Sequence, residues 1–141
     1  CGLVAKPPKA GNIRKIAFHV GSVASAPINS HDFRVETVDA ATGLPTGTLW
    51  ATNTNVTLLL NTTGWKSPTL TADAVIASGD LDTLIAFLIQ APALLFGDVR
   101  LSHFVDDETD FPYGLIAAAK AASRFLPCMA VEYSDGSYAP L

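Results

Sequence analysis

Residues 35–50 constrain the fold of this chain more than any other segment. They are typical of a strand, a tight polar loop and a second strand: Asp39 stands where the chain bends, and Gly43 and Gly47 flank Pro45. An aspartate hydrogen-bonds to its own local backbone, a glycine tolerates positive φ, and a proline fixes φ, so all three favour tight turns. The segment therefore predicts a β-hairpin.

Alternation of apolar and polar side chains predicts further strands. Ile16, Phe18 and Val20 alternate with more polar neighbours, which is the period of a strand with one buried face. Other strand-like segments lie near residues 33–36, 56–60, 69–71, 84–89, 99–104 and 129–133. Short strands separated by turn signals, without helix-length periods between them, predict an all-β fold, specifically an antiparallel, jelly-roll-like β-sandwich.

The length and the remaining segments complete the predicted architecture. A chain of 141 residues fits one domain, and we expect residues 1–141 to form a single β-sandwich with residues 1–10 as an N-terminal arm. Residues 84–89 are apolar on both faces, which indicates a central strand covered from both sides. Five alanines within residues 115–124 favour a helix, so we expect at most one short helix there.

Charge and hydropathy argue against two classes of partner. Charged residues make up 16 % of the chain, against about 25 % in ordinary domains, and the formal net charge is −4. The one basic cluster, Lys6, Lys9, Arg14 and Lys15, is too small for a nucleic-acid partner, and we interpret it as a solvated arm and strand edge. No apolar run approaches the roughly 18 residues that cross a bilayer. A surface rich in Thr, Ser, Asn, Ala and Gly suits a secreted or particle-bound protein.

The two cysteines leave two alternatives open. Cys1 and Cys128 could form one disulfide that joins distant parts of the chain, or they could be separate thiols. A chain that begins at Cys1 is expected to have been processed or cut from a longer one. A mature lipoprotein also begins with cysteine, but residues 3–5 are more typical of a strand than of a flexible tether.

Residues 106–110 carry the densest run of acidic side chains. Ca²⁺ needs six to eight converging oxygen ligands, and Asp106, Asp107 and Asp110 are where we would expect a calcium site if the chain has one. The glycine-containing spacing of a calcium-binding loop is absent, and adjacent carboxylates on an extended chain point in opposite directions. A solvated loop is the favoured interpretation, and no other cofactor is expected.

Catalytic motifs do not stand out. His31 and Asp32 could act as a general base and its orienting partner beside Ser30, but the members of a triad normally come from separate parts of a chain. The chain has no Gly-x-Ser-x-Gly nucleophile elbow. We therefore expect no catalytic residues and no enzymatic activity.

Aromatic residues suggest a binding function instead. The apolar face of a sugar ring stacks on a flat aromatic side chain, while polar neighbours bind its hydroxyl groups. Trp65 is the best candidate because it is expected in a loop, and Tyr113 and Tyr138 could join it. Burial in the sandwich or at a subunit contact is the favoured interpretation for each of them, and ligand stacking is the alternative.

Three segments together resemble a known class of proteins. These are residues 34–47, the Phe111-Pro112-Tyr113 corner and residues 132–138, whose sequence is Glu-Tyr-Ser-Asp-Gly-Ser-Tyr. The set is similar to the β-sandwich domains of phage particle proteins, including head decoration, fibre and tail-associated proteins. The resemblance covers the chain from about Pro8 onward and provides no catalytic residues. One departure is the alanine-rich segment 117–122, where such domains often have a polar strand containing tryptophan.

The resemblance implies a structural or adhesive role in a virion or another extracellular particle. The partners expected from it are other particle proteins, further copies of this chain or a host surface. Leu44 and Pro45, at the expected tip of the hairpin, are candidates for such a contact. The alternative function is a carbohydrate-binding module that stacks a glycan on Trp65, Tyr113 and Tyr138.

Overall fold

The structure, a computed structural model, describes residues 2–23, 30–90, 99–101, 103–105, 114–116, 121–123 and 125–141. Apart from a 3-10 turn at Ser78–Asp80, the regular structure in this part of the chain is β-strand. The strands are β1 (Gly2–Ala5), β2 (Gly11–Val23), β3 (Ser30–Val38), β4 (Pro45–Leu49), β5 (Asn55–Leu59), β6 (Gly64–Lys66), β7 (Thr69–Ile76), β8 (Ile85–Gln90), β9 (Val99–Leu101), β10 (His103–Val105), β11 (Gly114–Ile116), β12 (Ala121–Ser123), β13 (Phe125–Pro127), β14 (Met129–Tyr133) and β15 (Tyr138–Pro140). The predicted all-β class is confirmed.

Two antiparallel sheets form the sandwich. In the described residues, sheet A has the strand order β12-β11-β1-β8-β3-β4, and β5 also pairs with β3. Sheet B has the order β15-β14-β2-β6, and β7 and β9 also pair with β2. A separate pair joins β10 to β13. The long strand β2 is thus the common partner of four other strands in sheet B.

The core lies between the two sheets. Phe18 of β2 and Phe33 of β3 stack with ring centroids 4.7 Å apart and planes 18° apart, so they join sheet B to sheet A directly. The large side chains around them are fully buried, as the alternation in β2 predicts. The buried members of this core are Leu3, Ala5, Ile13, Ile16, Phe18, Val20, Phe33, Val35, Leu60, Leu70, Ala74, Ile76, Ile85, Phe87, Ile89, Met129, Val131 and Tyr133.

A second, smaller apolar cluster lies on the opposite face of sheet A. Val4, Ala86 and Leu88 are buried there, and Val38 and Leu44 pack against them. Because neighbouring residues of a strand point to opposite faces, Ile85, Phe87 and Ile89 of the same strand face the main core instead. Residues 85–89 are therefore covered on both faces, which confirms the interpretation of this segment as a central strand, whereas Leu84 precedes the strand and is exposed.

One expectation about local structure needs correction, and the expectation of at most one short helix holds in the described residues. Within residues 1–10, Gly2–Ala5 are not part of a loose arm: they form β1, which pairs with β8 and β11 and is buried along its length. The alanine-rich segment does not form a helix in its described part, since Gly114–Ile116 and Ala121–Ser123 are paired strands. Strand pairing at the edge of sheet A outweighs the high intrinsic helix propensity of alanine there.

The predicted hairpin is present and is stabilised as its residues suggest. Asp39 Oδ1 accepts hydrogen bonds from the backbone N–H groups of Ala41 and Thr42, at 2.8 and 2.9 Å. Gly43 N–H donates to the Asp39 carbonyl at 2.8 Å, and Gly43 has a φ of 69°. The loop between β3 and β4 is therefore a compact turn, held by one aspartate and one glycine.

Candidate functional site

The solvent-facing side of sheet B is the candidate site, and we call it the outer face of sheet B. It lies opposite the core because its residues alternate with the buried ones along each strand. Its members on four adjacent strands are Lys15, Ala17, His19, Trp65, Ala130, Glu132, Tyr138 and Pro140. This face carries two widely exposed aromatic side chains.

Trp65 is the more exposed of the two aromatic residues, with 61 % of its surface accessible. It lies on the short strand β6 directly opposite His19 of β2, not in a loop as expected from the sequence. The imidazole of His19 meets the indole edge-on, with centroids 5.5 Å apart and planes 76° apart. The next residue, Lys66, donates hydrogen bonds to Thr62 Oγ1 and to the Thr63 carbonyl, which ties β6 to the preceding turn. The strand is anchored while the indole stays open to solvent.

Tyr138 lies on the edge strand β15, with 60 % of its surface accessible. It is opposite Glu132 of β14, which is in turn opposite Lys15 of β2, so the three residues form a row across three strands. The Tyr138 hydroxyl donates a hydrogen bond to Glu132 Oε2. Lys15 Nζ lies 3.0 and 2.9 Å from the two oxygens of the same carboxylate. The row fixes the phenol ring at the edge of the sheet.

The charges in this row are mutually compensated. The hydrogen bond from Tyr138, followed by that from Lys15, lowers the pKa of Glu132 below its ordinary value. The same carboxylate raises the pKa of Lys15 and the pKa of Tyr138 through hydrogen bonds. At neutral pH the row therefore consists of a carboxylate, an ammonium group and an uncharged phenol, with no net charge.

The sheet geometry determines how far apart the two aromatic residues lie. Trp65 is level with His19, Tyr138 is level with Lys15, and three strand-to-strand steps separate β6 from β15. With about 4.8 Å per step and about 3.3 Å per residue along a strand, the two positions are roughly 20 Å apart. The small side chains of Ala17 and Ala130 lie between them. The outer face of sheet B thus has an aromatic residue at each end and a low surface in between.

Of the remaining candidate binding, metal and disulfide residues, the structure describes Leu44, Pro45 and Cys128. Tyr113, Asp106, Asp107, Asp110 and Cys1 lie outside the described residues, so the proposed calcium ligands and the third aromatic remain predictions. Cys128 is a free thiol and is half-buried. Its carbonyl accepts a hydrogen bond from His19 N–H at 3.2 Å, so it precedes β14 at the level of Trp65.

Leu44 and Pro45 do not form the exposed tip of the hairpin. Pro45 is buried as the first residue of β4, where it pairs with Val38. Leu44 is half-buried and packs against the smaller apolar cluster. The exposed part of this loop is Asp39 and the three residues that follow it, 40–42. The two residues are integral to sheet A, and their contact with a partner is still only a prediction.

A polar cluster centred on Arg34, not predicted from the sequence, lies on the face of sheet A turned away from the core. Arg34 Nη1 lies 3.3 Å from Asp32 Oδ2 and 3.1 Å from Gln90 Oε1, and Nη2 donates to the Gly47 carbonyl at 3.1 Å. Its Nε is 2.7 Å from Glu36 Oε1, an ion pair whose N–H group is not directed at that oxygen. Residues two apart on a strand share a face, and this spacing could have predicted the cluster.

The contacts of Asp32 in the Arg34 cluster are not compatible with a catalytic pair of His31 and Asp32. Asp32 faces Arg34 and accepts a hydrogen bond from Asn55 Nδ2 at 3.0 Å. His31 is the adjacent residue of β3 and is buried on the other face of the strand. The two side chains therefore point in opposite directions and do not form a catalytic pair.

The part of the chain that the structure describes contains neither a cluster of metal ligands nor a membrane-spanning helix. No three His, Cys, Asp or Glu side chains there come together as metal ligands. Among the same residues, no helix is long and apolar enough to cross a bilayer. Comparisons with protein-family models, with curated proteins and with solved structures found no match to this chain, so a function has to be inferred from its own residues.

Proposed function

We propose that this chain is a structural or adhesive β-sandwich module of an extracellular particle, such as a phage virion, and that it binds through the outer face of sheet B. One observation carries the proposal: exposed apolar side chains are concentrated on that side of the molecule. Among the described residues, five large apolar side chains are exposed, namely Leu59, Trp65, Val75, Leu84 and Tyr138. Three of them, Trp65, Val75 and Tyr138, lie on sheet B and face away from the core.

Exposed apolar groups of this size are typical of contact surfaces when they share one face. Tryptophan and tyrosine are also the residues that contribute most to binding at protein surfaces, because they bury a large area and lose little conformational entropy. In the proposed role, the sandwich acts as a rigid support: the core behind β2 holds the face in position while Trp65 and Tyr138 make the contact.

The test is an adhesion assay with the whole chain displayed in many copies on beads, because multivalent display makes weak binding measurable. The beads are incubated with a panel of intact bacterial and eukaryotic cells, and retained beads are counted. We expect retention on at least one cell type, and its loss when Trp65→Ser and Tyr138→Ser are combined. The matched control is Leu59→Ser, which removes an exposed apolar side chain from sheet A.

The sedimentation behaviour of the free chain tests the structural side of the same proposal. We expect a discrete oligomer in sedimentation velocity, as a repeated part of a particle would form. A chain that stays monomeric at every concentration and adheres to no cell type contradicts the proposal. Equal retention of the double variant and of wild type would show that the outer face of sheet B is not the contact surface.

A further inference from the structure

We propose that the ligand of the outer face of sheet B is a neutral oligosaccharide that extends from Trp65 to Tyr138. This inference rests on the proposed function, because it requires that face to be the contact surface. It adds the chemical class of the ligand, its charge and its minimum length.

The class of ligand follows from the groups at the two ends of the face. A pyranose ring has an apolar face of C–H groups, which packs on an exposed indole or phenol ring, and hydroxyl groups around its edge. Beside Tyr138, the Glu132 carboxylate and the Lys15 ammonium group are held 2.9 Å apart at the surface. They offer one acceptor and one donor to hydroxyl groups next to the aromatic ring. Beside Trp65, His19 adds a polar ring.

The charge of the ligand follows from the pairing of the ionised groups. Lys15 is paired with Glu132, and Arg14 at the neighbouring position lies 3.7 Å from Asp73 of β7. A charged polysaccharide or a strongly charged protein would have to break or outcompete these pairs, whereas a neutral glycan needs only their remaining hydrogen-bonding capacity. A surface with compensated charges and exposed aromatic rings therefore complements a neutral, polyhydroxylated ligand.

The length of the ligand follows from the distance between the aromatic residues. Positions roughly 20 Å apart on a sheet cannot be bridged by one sugar ring. Between them, Ala17 is buried and Ala130 is half-buried, so neither alanine stands out from the face between the two aromatic residues, and a chain of several rings is needed to reach from one to the other. We therefore expect affinity to rise with oligosaccharide length until both Trp65 and Tyr138 are covered.

The experiment uses the full chain and an array of neutral and acidic glycans, followed by calorimetric titration with length series of neutral gluco-, manno- and chito-oligosaccharides. We expect binding to one neutral series, with longer members bound more tightly than monosaccharides. Trp65→Ala should weaken binding about tenfold, which corresponds to the loss of an aromatic contact worth about 1.4 kcal/mol. Trp65→Phe should retain part of the affinity, and Leu59→Ala should bind like wild type.

Each outcome of this experiment separates the inference from the proposed function on which it rests. If cell adhesion depends on Trp65 and Tyr138 but no neutral glycan binds, the contact surface stands and the glycan inference is wrong. Adhesion that survives periodate oxidation of cell-surface sugars but not protease treatment would indicate a protein ligand and would also overturn it. If a glycan binds equally to wild type and to Trp65→Ala, the glycan inference is wrong, while the contact surface is still decided by the adhesion assay with the Trp65 and Tyr138 double variant.

Discussion

At the scale of single residues, the feature that most depends on compensating contacts is the ion pair formed by Arg34 and Glu36. Only 2 % of Glu36 is exposed, and its carboxylate accepts a hydrogen bond from Gly47 N–H at 2.9 Å in addition to facing the guanidinium group. A buried carboxylate is tolerated when its charge is paired and its oxygens are hydrogen-bonded. The pair also connects β3 to the hairpin strand β4, because Arg34 and Glu36 both contact the backbone of Gly47.

Replacing Glu36 with alanine should leave the Arg34 guanidinium with only one carboxylate partner, Asp32, and the Gly47 N–H without its acceptor. We expect the free energy of unfolding to fall by about 3 kcal/mol, measured by urea denaturation. The matched control is Asp82→Asn, which breaks the exposed ion pair between Lys6 and Asp82. That change should cost at most about 1 kcal/mol. Similar midpoints for the two variants would contradict the structural importance of the buried pair.

The row of Lys15, Glu132 and Tyr138 gives a prediction about pH. The folded-state pKa of Glu132 is lowered, so its stabilising contribution is present above the ordinary glutamate value and is lost as the pH falls through the lowered one. The pKa values of Lys15 and Tyr138 are raised, so their contribution is present below their ordinary values and is lost as the pH rises through the raised ones. The advantage of wild type over Glu132→Gln should therefore be greatest between these limits and should shrink on both sides.

The measurement is the urea midpoint of both proteins as a function of pH. The absorbance of ionised tyrosine can be followed in the same samples, because Glu132→Gln should return Tyr138 towards ordinary titration near pH 10. A difference in urea midpoint between wild type and Glu132→Gln that does not change with pH would contradict the coupled ionisation of Lys15, Glu132 and Tyr138.

At the scale of elements, the hairpin of β3 and β4 shows how turn chemistry determines register. Asp39 N–H donates to the Leu44 carbonyl at 2.8 Å, which closes the loop at its base. Inside the loop, the Asp39 side chain accepts two backbone hydrogen bonds, and these lower its pKa. The turn places Pro45 opposite Val38, and a slip by one residue would move the apolar side chains of β4 to the other face.

Gly43→Ala tests the turn directly. Its φ of 69° lies in the left-handed region, where a Cβ atom is unfavourable, so we expect a loss of about 1 to 2 kcal/mol of stability. Gly79→Ala is the control, because a Cβ atom there would have no atom within 4 Å and the backbone is not left-handed. That variant should be neutral or slightly stabilising in the same thermal or urea unfolding measurement. Equal losses at both positions would mean that backbone conformation is not what requires Gly43.

At the scale of the whole molecule, the sequence predicted the sandwich but not all of its strands. Alternation in β2 and turn chemistry around Asp39 were sufficient to predict the strands of these segments, because one face of each segment is buried and the other is solvated. β1 lacks that alternation, since all four of its residues are buried, although residues 3–5 are typical of a strand. The three-residue strand β6 is too short for any period to appear, so the sequence predicts a loop at Trp65. The wide exposure of Trp65 and Tyr138 and their common face depend on strand pairing between distant segments, which local patterns do not encode.

The position of β1 in sheet A has a consequence for how the chain folds during synthesis. β1 lies between β8 and β11, so its pairing partners include Ile85 and Leu115. Protein synthesis usually proceeds at about 5 to 20 residues per second, so on the order of ten seconds pass after β1 is made before both neighbouring strands have been made. Until β8 has been made, the apolar residues of β1 have neither of these strands to pair with and are open to chaperones or to other nascent chains. Pairing over such long sequence separations is also slow in itself, so insertion of β1 between β8 and β11 is expected to be among the last steps in the folding of this sandwich.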